Sequence, residues 1–67
     1  MKYKVGDLVT LSAAGKQRKA NHTVREGFGI IVEIEPSWAT WPISCHWVGG
    51  ERDMQYFKEY EIKRYKP

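Results

Sequence analysis

The sequence predicts a small all-β barrel built from about five short antiparallel strands. Apolar and polar residues alternate over short stretches, which is typical of strands with one buried face. Turn residues separate these stretches at Gly6, Gly27, Pro36 and Gly49–Gly50. No amphipathic pattern is long enough to form an independent helix. These three observations together favour a compact β domain.

The first predicted strand covers residues 4–11 and carries Val5, Val9 and Leu11 on one face. Residues 12–27 follow, and they are polar and basic with little periodicity. They predict a long basic loop. Because loops of this length are uncommon in compact domains, they are usually functional or mobile.

The second predicted strand, residues 28–35, has the clearest alternation in the chain. One face carries Ile30, Val32 and Ile34, and the other carries Ile31 followed by two glutamates. A proline then ends the stretch, since proline cannot donate a hydrogen bond to a sheet.

The third predicted strand, residues 41–48, contains the only cysteine. Alternation places Ile43, Cys45 and Trp47 on an apolar face and His46 on the opposite face. We therefore expect Cys45 to be a buried, unreactive thiol. His46 cannot readily deprotonate it, because adjacent residues of a strand point to opposite faces of the sheet.

The last part of the chain predicts two more strands, residues 51–57 and 61–65, with a short 3-10 turn between them. Gly49–Gly50 predicts a two-residue hairpin before the first of them. Tyr56 and Phe57 are consecutive, so one of these rings should lie in the core and the other on the surface.

The length of 67 residues allows a single domain, residues 1–67. A domain of this size buries only about 60% of its unfolded surface, which makes a deep enzyme pocket unexpected. No apolar run approaches the roughly 20 residues that span a bilayer, and the N-terminus lacks a signal-peptide stretch. With one cysteine there is no internal disulfide. These features predict a soluble, cytoplasmic protein without a membrane partner.

Catalytic and metal-binding motifs do not stand out in the sequence. Cys45, His22 and His46 have no recognisable ligand spacing, whereas a structural zinc ion requires four ligands. Paired carboxylates, a Ser-His-Asp set and a phosphate-binding loop do not stand out either. We therefore predict no enzyme activity, no metal, no cofactor and no small-molecule substrate.

Positive charge is distributed unevenly along the chain. The overall charge is +3, but residues 1–27 alone carry six basic and two acidic side chains. Because phosphate contacts dominate nucleic-acid affinity, this asymmetry predicts a polyanion-binding face made by the loop and the chain termini. A merely solvated surface explains a surplus this small about equally well. The candidate nucleic-acid-binding residues are Lys16, Arg18, Lys19, Arg25, Lys63 and Arg64.

All three tryptophans lie within residues 38–47. Trp47 shares the predicted core face, but Trp38 and Trp41 lie at a turn. We expect at least one of these two to close the end of the barrel. An exposed aromatic ring would favour recognition of a partner instead, because aromatic residues are enriched at interfaces. The candidate partner-binding residues are Trp38, Trp41 and Tyr56.

The order of the sequence blocks resembles small SH3-like barrel proteins of tailed bacteriophages, including phages of cyanobacteria. The blocks are Gly6–Val9, Gly27–Ile34, Trp41–Trp47 and Tyr56–Ile62. The resemblance covers nearly the whole chain, and Cys45 stands where these proteins usually carry valine. It implies a strongly bent, five-stranded antiparallel SH3-like barrel. More distantly, the chain is similar to KOW and Tudor-type barrels, which raises nucleic-acid and nucleoprotein partners without selecting them.

The leading hypothesis is a phage-encoded, non-catalytic binding module that engages nucleic acid or a host nucleoprotein machine through the basic loop and terminal lysines. The alternative is a protein–protein interaction module, either an inhibitor of a host factor or a small virion component. An assembly element without a separate ligand is a third reading.

Overall fold

A computed structural model describes residues 2–36 and 38–66 of the chain. The strands are β1 (Leu8–Leu11), β2 (Phe28–Ile34), β3 (Ile43–Val48), β4 (Met54–Phe57) and β5 (Ile62–Arg64). They form one antiparallel sheet in the order β4-β3-β2-β1-β5, which confirms the predicted five strands. Within the described ranges, no helix is long and apolar enough to cross a membrane.

Among the described residues, three short helical elements lie between the strands. They are the α-helix α1 (Ala13–Lys16) and the 3-10 helices η1 (Lys19–Val24) and η2 (Glu59–Glu61). The last of these confirms the 3-10 turn that was predicted before the final strand.

The connection over residues 12–27, predicted as a long basic loop, is largely helical, because α1 and η1 lie within it. Ser12 caps α1, and its Oγ accepts a hydrogen bond from the amide of Gly15 at 3.1 Å. Asn21 and Val24 are buried and anchor η1 to the rest of the domain. Helices of four and six residues are too short to produce a recognisable apolar period, so the sequence could not reveal them.

The two ends of the chain lie side by side. Strand β1 pairs with β5, with Val9 opposite Arg64. Beyond this pairing, Arg64 Nη2 donates a hydrogen bond to the carbonyl of Lys2 at 2.8 Å. Cations from both ends flank the ring of Tyr3, with Lys2 Nζ at 5.4 Å and Arg64 Cζ at 5.3 Å from its centroid.

Side chains from every strand form the hydrophobic core. Its members are Tyr3, Val9, Leu11, Val24, Ile31, Ile43, Cys45, Trp47, Phe57 and Ile62. The predicted core face of the third strand is confirmed, as is the division between buried Phe57 and exposed Tyr56. The inward position predicted for Val5 is wrong, because Val5 is exposed and lies in a turn before β1. The amide of Asp7 closes this turn by donating a hydrogen bond to the carbonyl of Lys4 at 3.1 Å.

Strand β2 departs from regular alternation. Ile31 is buried and Val32 is exposed, so Val32 does not belong to the core face. The register against β3 shifts between Ile31 and Glu33, which marks a β-bulge. In a regular strand, Ile34 would share the exposed face of Val32, because residues two positions apart point to the same side. The bulge changes which residues face inward, so Ile34 packs against the core instead.

The connection between β3 and β4 spans residues 49–53, so it is longer than the two-residue hairpin predicted from Gly49–Gly50. Gly49 has a φ of +90°, which non-glycine residues rarely adopt. The amide of Trp47 donates a hydrogen bond to the carbonyl of Asp53 at 2.6 Å and closes this loop.

Candidate functional site

One groove brings together side chains from the η1 region, the β2–β3 connection and strand β4. Its volume is about 240 Å³. The described residues that line it are Arg18, Ala20, Asn21, Trp41, Arg52, Gln55 and Tyr56, and we call it the aromatic groove. It unites Arg18, Trp41 and Tyr56, which the sequence singled out separately.

A buried carboxylate supports one wall of the aromatic groove. The Glu61 side chain is only 1% exposed. Its Oε2 accepts a hydrogen bond from Asn21 Nδ2 at 3.1 Å and lies 3.3 Å from Arg18 Nε. Its Oε1 accepts a hydrogen bond from the backbone amide of Lys58 at 2.7 Å. Because burial of an unpaired charge is costly, these partners are what make the position tolerable.

Asn21 extends this network across the groove. Its Nδ2 also donates a hydrogen bond to the carbonyl of Gly15 at 3.0 Å, and its Oδ1 accepts a hydrogen bond from Gln55 Nε2 at 3.1 Å. Gln55 belongs to β4, whereas Asn21 belongs to η1. The network therefore fixes the distance between the two sides of the groove before any ligand arrives.

Trp41 is covered by cations of the protein itself. The guanidinium carbon of Arg18 lies 4.4 Å from its ring centroid, and Lys58 Nζ lies 4.9 Å from it. Such cation–π contacts are worth about 0.5–1 kcal/mol at exposed sites. Tyr56 differs because this residue is 57% exposed. The Trp41 ring is thus occupied by two cations, whereas Tyr56 is the more exposed ring of the groove.

The two charged residues in the described lining of the aromatic groove are basic, and one of them is paired with Glu61. The described lining residues include Arg18 and Arg52 but no aspartate or glutamate. The ion pair of Arg18 uses Nε, and its two terminal nitrogens have no hydrogen bond within the described part of the chain. Arg52 likewise makes no salt bridge or side-chain hydrogen bond to a described residue. The groove therefore presents guanidinium donors beside an exposed phenol ring.

The other predicted basic residues lie elsewhere. Lys16 and Lys19 are exposed and do not line the aromatic groove. Arg25 Nη2 donates to the carbonyl of Lys16 at 2.8 Å. Lys63 and Arg64 line a separate depression beside β5. The structure therefore does not gather the six candidates into one groove.

Arg64 is engaged within the protein. Its Nη1 lies 3.1 Å from Asp7 Oδ2. The backbone amide of Lys4, which donates to the same carboxylate, lowers the pKa of Asp7, and the Arg64 hydrogen bond lowers it further. Arg64 thus already has an anionic partner, unlike Arg52.

Neither turn tryptophan belongs to the hydrophobic core, so the expectation that one of them closes the barrel is wrong. Trp38 is 82% exposed and does not line the aromatic groove. Trp41 is 37% exposed and lines the groove instead of the core.

Cys45 is fully buried, as predicted, and burial raises the pKa of its thiol to about 12.

Since the thiolate is the reactive form of cysteine, we expect no modification of Cys45 in the native protein by a disulfide reagent at pH 8 over hours. The same reagent should react within minutes in denaturant. Absorbance of the released thiolate measures both rates, and fast reaction of the folded protein would contradict the burial.

Within the part of the chain that the structure describes, no three His, Cys, Asp or Glu side chains lie close enough to hold a metal ion. Comparisons with protein-family models, curated proteins and solved structures found no match to the chain. The geometry of the groove is therefore the basis for a functional proposal.

Proposed function

We propose that this protein is a non-catalytic module that binds nucleic acid, free or within a host nucleoprotein machine, in the aromatic groove. The observation that carries the proposal is the pair of arginines beside an exposed tyrosine, with no acidic residue among the described lining. Guanidinium groups match phosphate geometry, and aromatic rings stack on bases. Free cationic ligands are disfavoured, because Arg18 and Arg52 would repel them.

We further propose that the sheet closes into an SH3-like barrel and that the protein is phage-encoded and acts in the host cytoplasm. The strand order, the β1–β5 pairing and the 3-10 turn before β5 support the barrel. The resemblance of the sequence blocks to phage proteins supports the origin.

Arg52→Gln tests the proposal directly. We expect it to weaken binding of a short mixed-sequence DNA or RNA about fivefold, equivalent to roughly 1 kcal/mol, and to reduce the salt dependence of binding. NMR titration of labelled protein at low and moderate salt measures affinity and maps the shifted residues. Shifts should concentrate on the aromatic groove.

Lys63→Gln is the matched control, since it removes the same charge from the surface beside β5. It should leave the affinity nearly unchanged. Equal losses in both variants would indicate diffuse attraction to the whole protein and would remove the groove from the proposal. A spectrum that does not respond to DNA or RNA at low salt would refute nucleic-acid binding altogether.

A protein–protein interaction role is the second candidate, and the exposure of Trp38 favours it. A large ring on the surface can anchor an interface. Under this alternative, Trp38→Ala abolishes capture of a host or phage protein and leaves the melting temperature unchanged. Capture that survives the substitution would rule Trp38 out as the anchor.

A further inference from the structure

We infer that the aromatic groove selects single-stranded nucleic acid, with one unpaired base stacked on Tyr56 and the neighbouring phosphates held by Arg18 and Arg52. The inference rests on the proposed function and adds the form of nucleic acid that the site accepts. Three features carry it: the available ring, the shape of the groove and the number of cations.

Tyr56 is the stacking surface that remains in the groove. The ring of Trp41 already has the guanidinium carbon of Arg18 at 4.4 Å from its centroid, whereas Tyr56 is 57% exposed. A base within a duplex is stacked on its neighbours and paired across the helix. Contact with a side-chain ring therefore requires an unpaired base.

The backbone that carries the Tyr56 ring is already ordered without a ligand. Tyr56 belongs to β4, an edge strand of the sheet, and lies opposite Ser44 of the neighbouring strand β3. Its neighbours on either side are fixed, because Phe57 is buried in the core and Gln55 is hydrogen-bonded to Asn21. Because the backbone is already ordered, binding has to order only the side chain of Tyr56, and this small entropic cost favours affinity.

The shape of the site suits a nucleotide better than a duplex. Sequence-reading proteins commonly place a helix or a two-stranded ribbon in the major groove, which is about 12 Å wide. The longest helical element in the described residues is η1, with six residues, and Asn21 and Val24 bury it against the domain. This short, anchored helix is poorly suited to enter a groove of DNA, whereas a depression of about 240 Å³ can receive a single base.

The number of cations also fits a short single-stranded segment. The groove supplies two guanidinium groups, that of Arg52 and that of Arg18, whose terminal nitrogens remain available although its Nε is paired with Glu61. Arg64 and Arg25 lie outside the groove and are hydrogen-bonded within the protein. Proteins that bind duplexes with strong salt dependence often contact about 6–10 phosphates. Two phosphates on a single strand predict a slope of log affinity against log salt of about −1.4.

The test compares a fluorescent ten-nucleotide DNA of mixed sequence with the duplex of the same sequence, by anisotropy at low salt. We expect the single strand to bind at least about tenfold more tightly. Stacking is worth about 1–3 kcal/mol per base, so Tyr56→Ala should lose about tenfold or more of single-strand affinity. Tyr56→Phe should retain most of it, because the ring remains.

Tyr60→Ala is the matched control, since Tyr60 is 56% exposed but does not line the aromatic groove. It should leave single-strand affinity unchanged, and circular dichroism should show that all variants remain folded. Duplex binding as tight as single-strand binding, without dependence on Tyr56, would overturn the inference and leave nucleic-acid binding intact. Binding of neither form would overturn the proposed function as well.

A polyglutamate peptide provides the remaining comparison. If it binds more tightly than the single strand and with the same dependence on Tyr56, the groove recognises an acidic protein segment and the inference is wrong. If it binds weakly or not at all, charge alone does not explain recognition, and the stacked base accounts for the difference.

Discussion

Gly15→Ala should strongly destabilise the fold, although it adds a single methyl group to a residue in a helix. A Cβ at Gly15 would lie 2.0 Å from the backbone oxygen of Glu61 and 2.9 Å from its carbonyl carbon. Real Cβ atoms do not approach other atoms so closely. Because both contacts are with backbone, no change of rotamer can relieve them, and α1 would have to separate from η2.

The expected loss is about 3 kcal/mol or more, the upper end of the range for overpacked sites. A 67-residue domain has roughly 3–10 kcal/mol of total stability, so about a third of it or more would disappear. Thermal denaturation followed by circular dichroism measures the effect, which corresponds to a melting temperature lower by about 10 °C or more.

Ala14→Gly is the control within the same helix, because it makes the reverse change at an exposed position. It should cost only about 0.5–1 kcal/mol through backbone entropy. If Gly15→Ala melted within about 5 °C of the parent protein, the close packing of α1 on η2 would be incorrect.

This packing also connects the fold to the aromatic groove. Ser12 joins α1 to η2 by two hydrogen bonds. Its amide donates to the carbonyl of Glu61 at 2.9 Å, and its Oγ donates to the carbonyl of Tyr60 at 2.6 Å. These bonds set the position of Glu61, and its carboxylate in turn holds Arg18. A local disturbance at α1 should therefore reach the groove.

The strands could be predicted because burial of every second residue leaves a direct trace in the sequence. Ile43, Cys45 and Trp47 follow this rule and were assigned to the core correctly. The rule failed where one extra residue shifts the pattern, as at the bulge between Ile31 and Glu33. A bulge of this kind leaves no clear signal in local composition.

The groove could be predicted only in part. Arg18, Trp41 and Tyr56 were chosen because of their residue types, but nothing in the sequence indicated that they meet. The organising residue, Glu61, lies in a charged stretch and resembles any surface glutamate. Its amide partner Asn21 is 40 positions away, so local patterns cannot report the contact.

Glu61→Gln should destabilise the domain by about 3 kcal/mol, although the two side chains have the same shape. The carboxylate accepts hydrogen bonds at both oxygens, from Lys58 N on one and from Asn21 Nδ2 on the other. Glutamine has only one oxygen, so either orientation of its amide turns an N–H toward a donor. A buried donor left without a partner costs about 1–3 kcal/mol, and the ion pair with Arg18 is lost as well.

Glu59→Gln provides the control, because it removes the same charge from an exposed position in the same 3-10 helix. Urea denaturation should show a change below about 0.5 kcal/mol for Glu59→Gln, as for most surface substitutions. Arg18→Gln, alone and combined with Glu61→Gln, then measures the coupling of the ion pair. Equal stabilities of the two glutamate variants would mean that Glu61 is not the buried support of the groove. A large loss confined to Glu61→Gln, together with coupling to Arg18, would establish that one carboxylate stabilises the domain while also holding a cation of the aromatic groove.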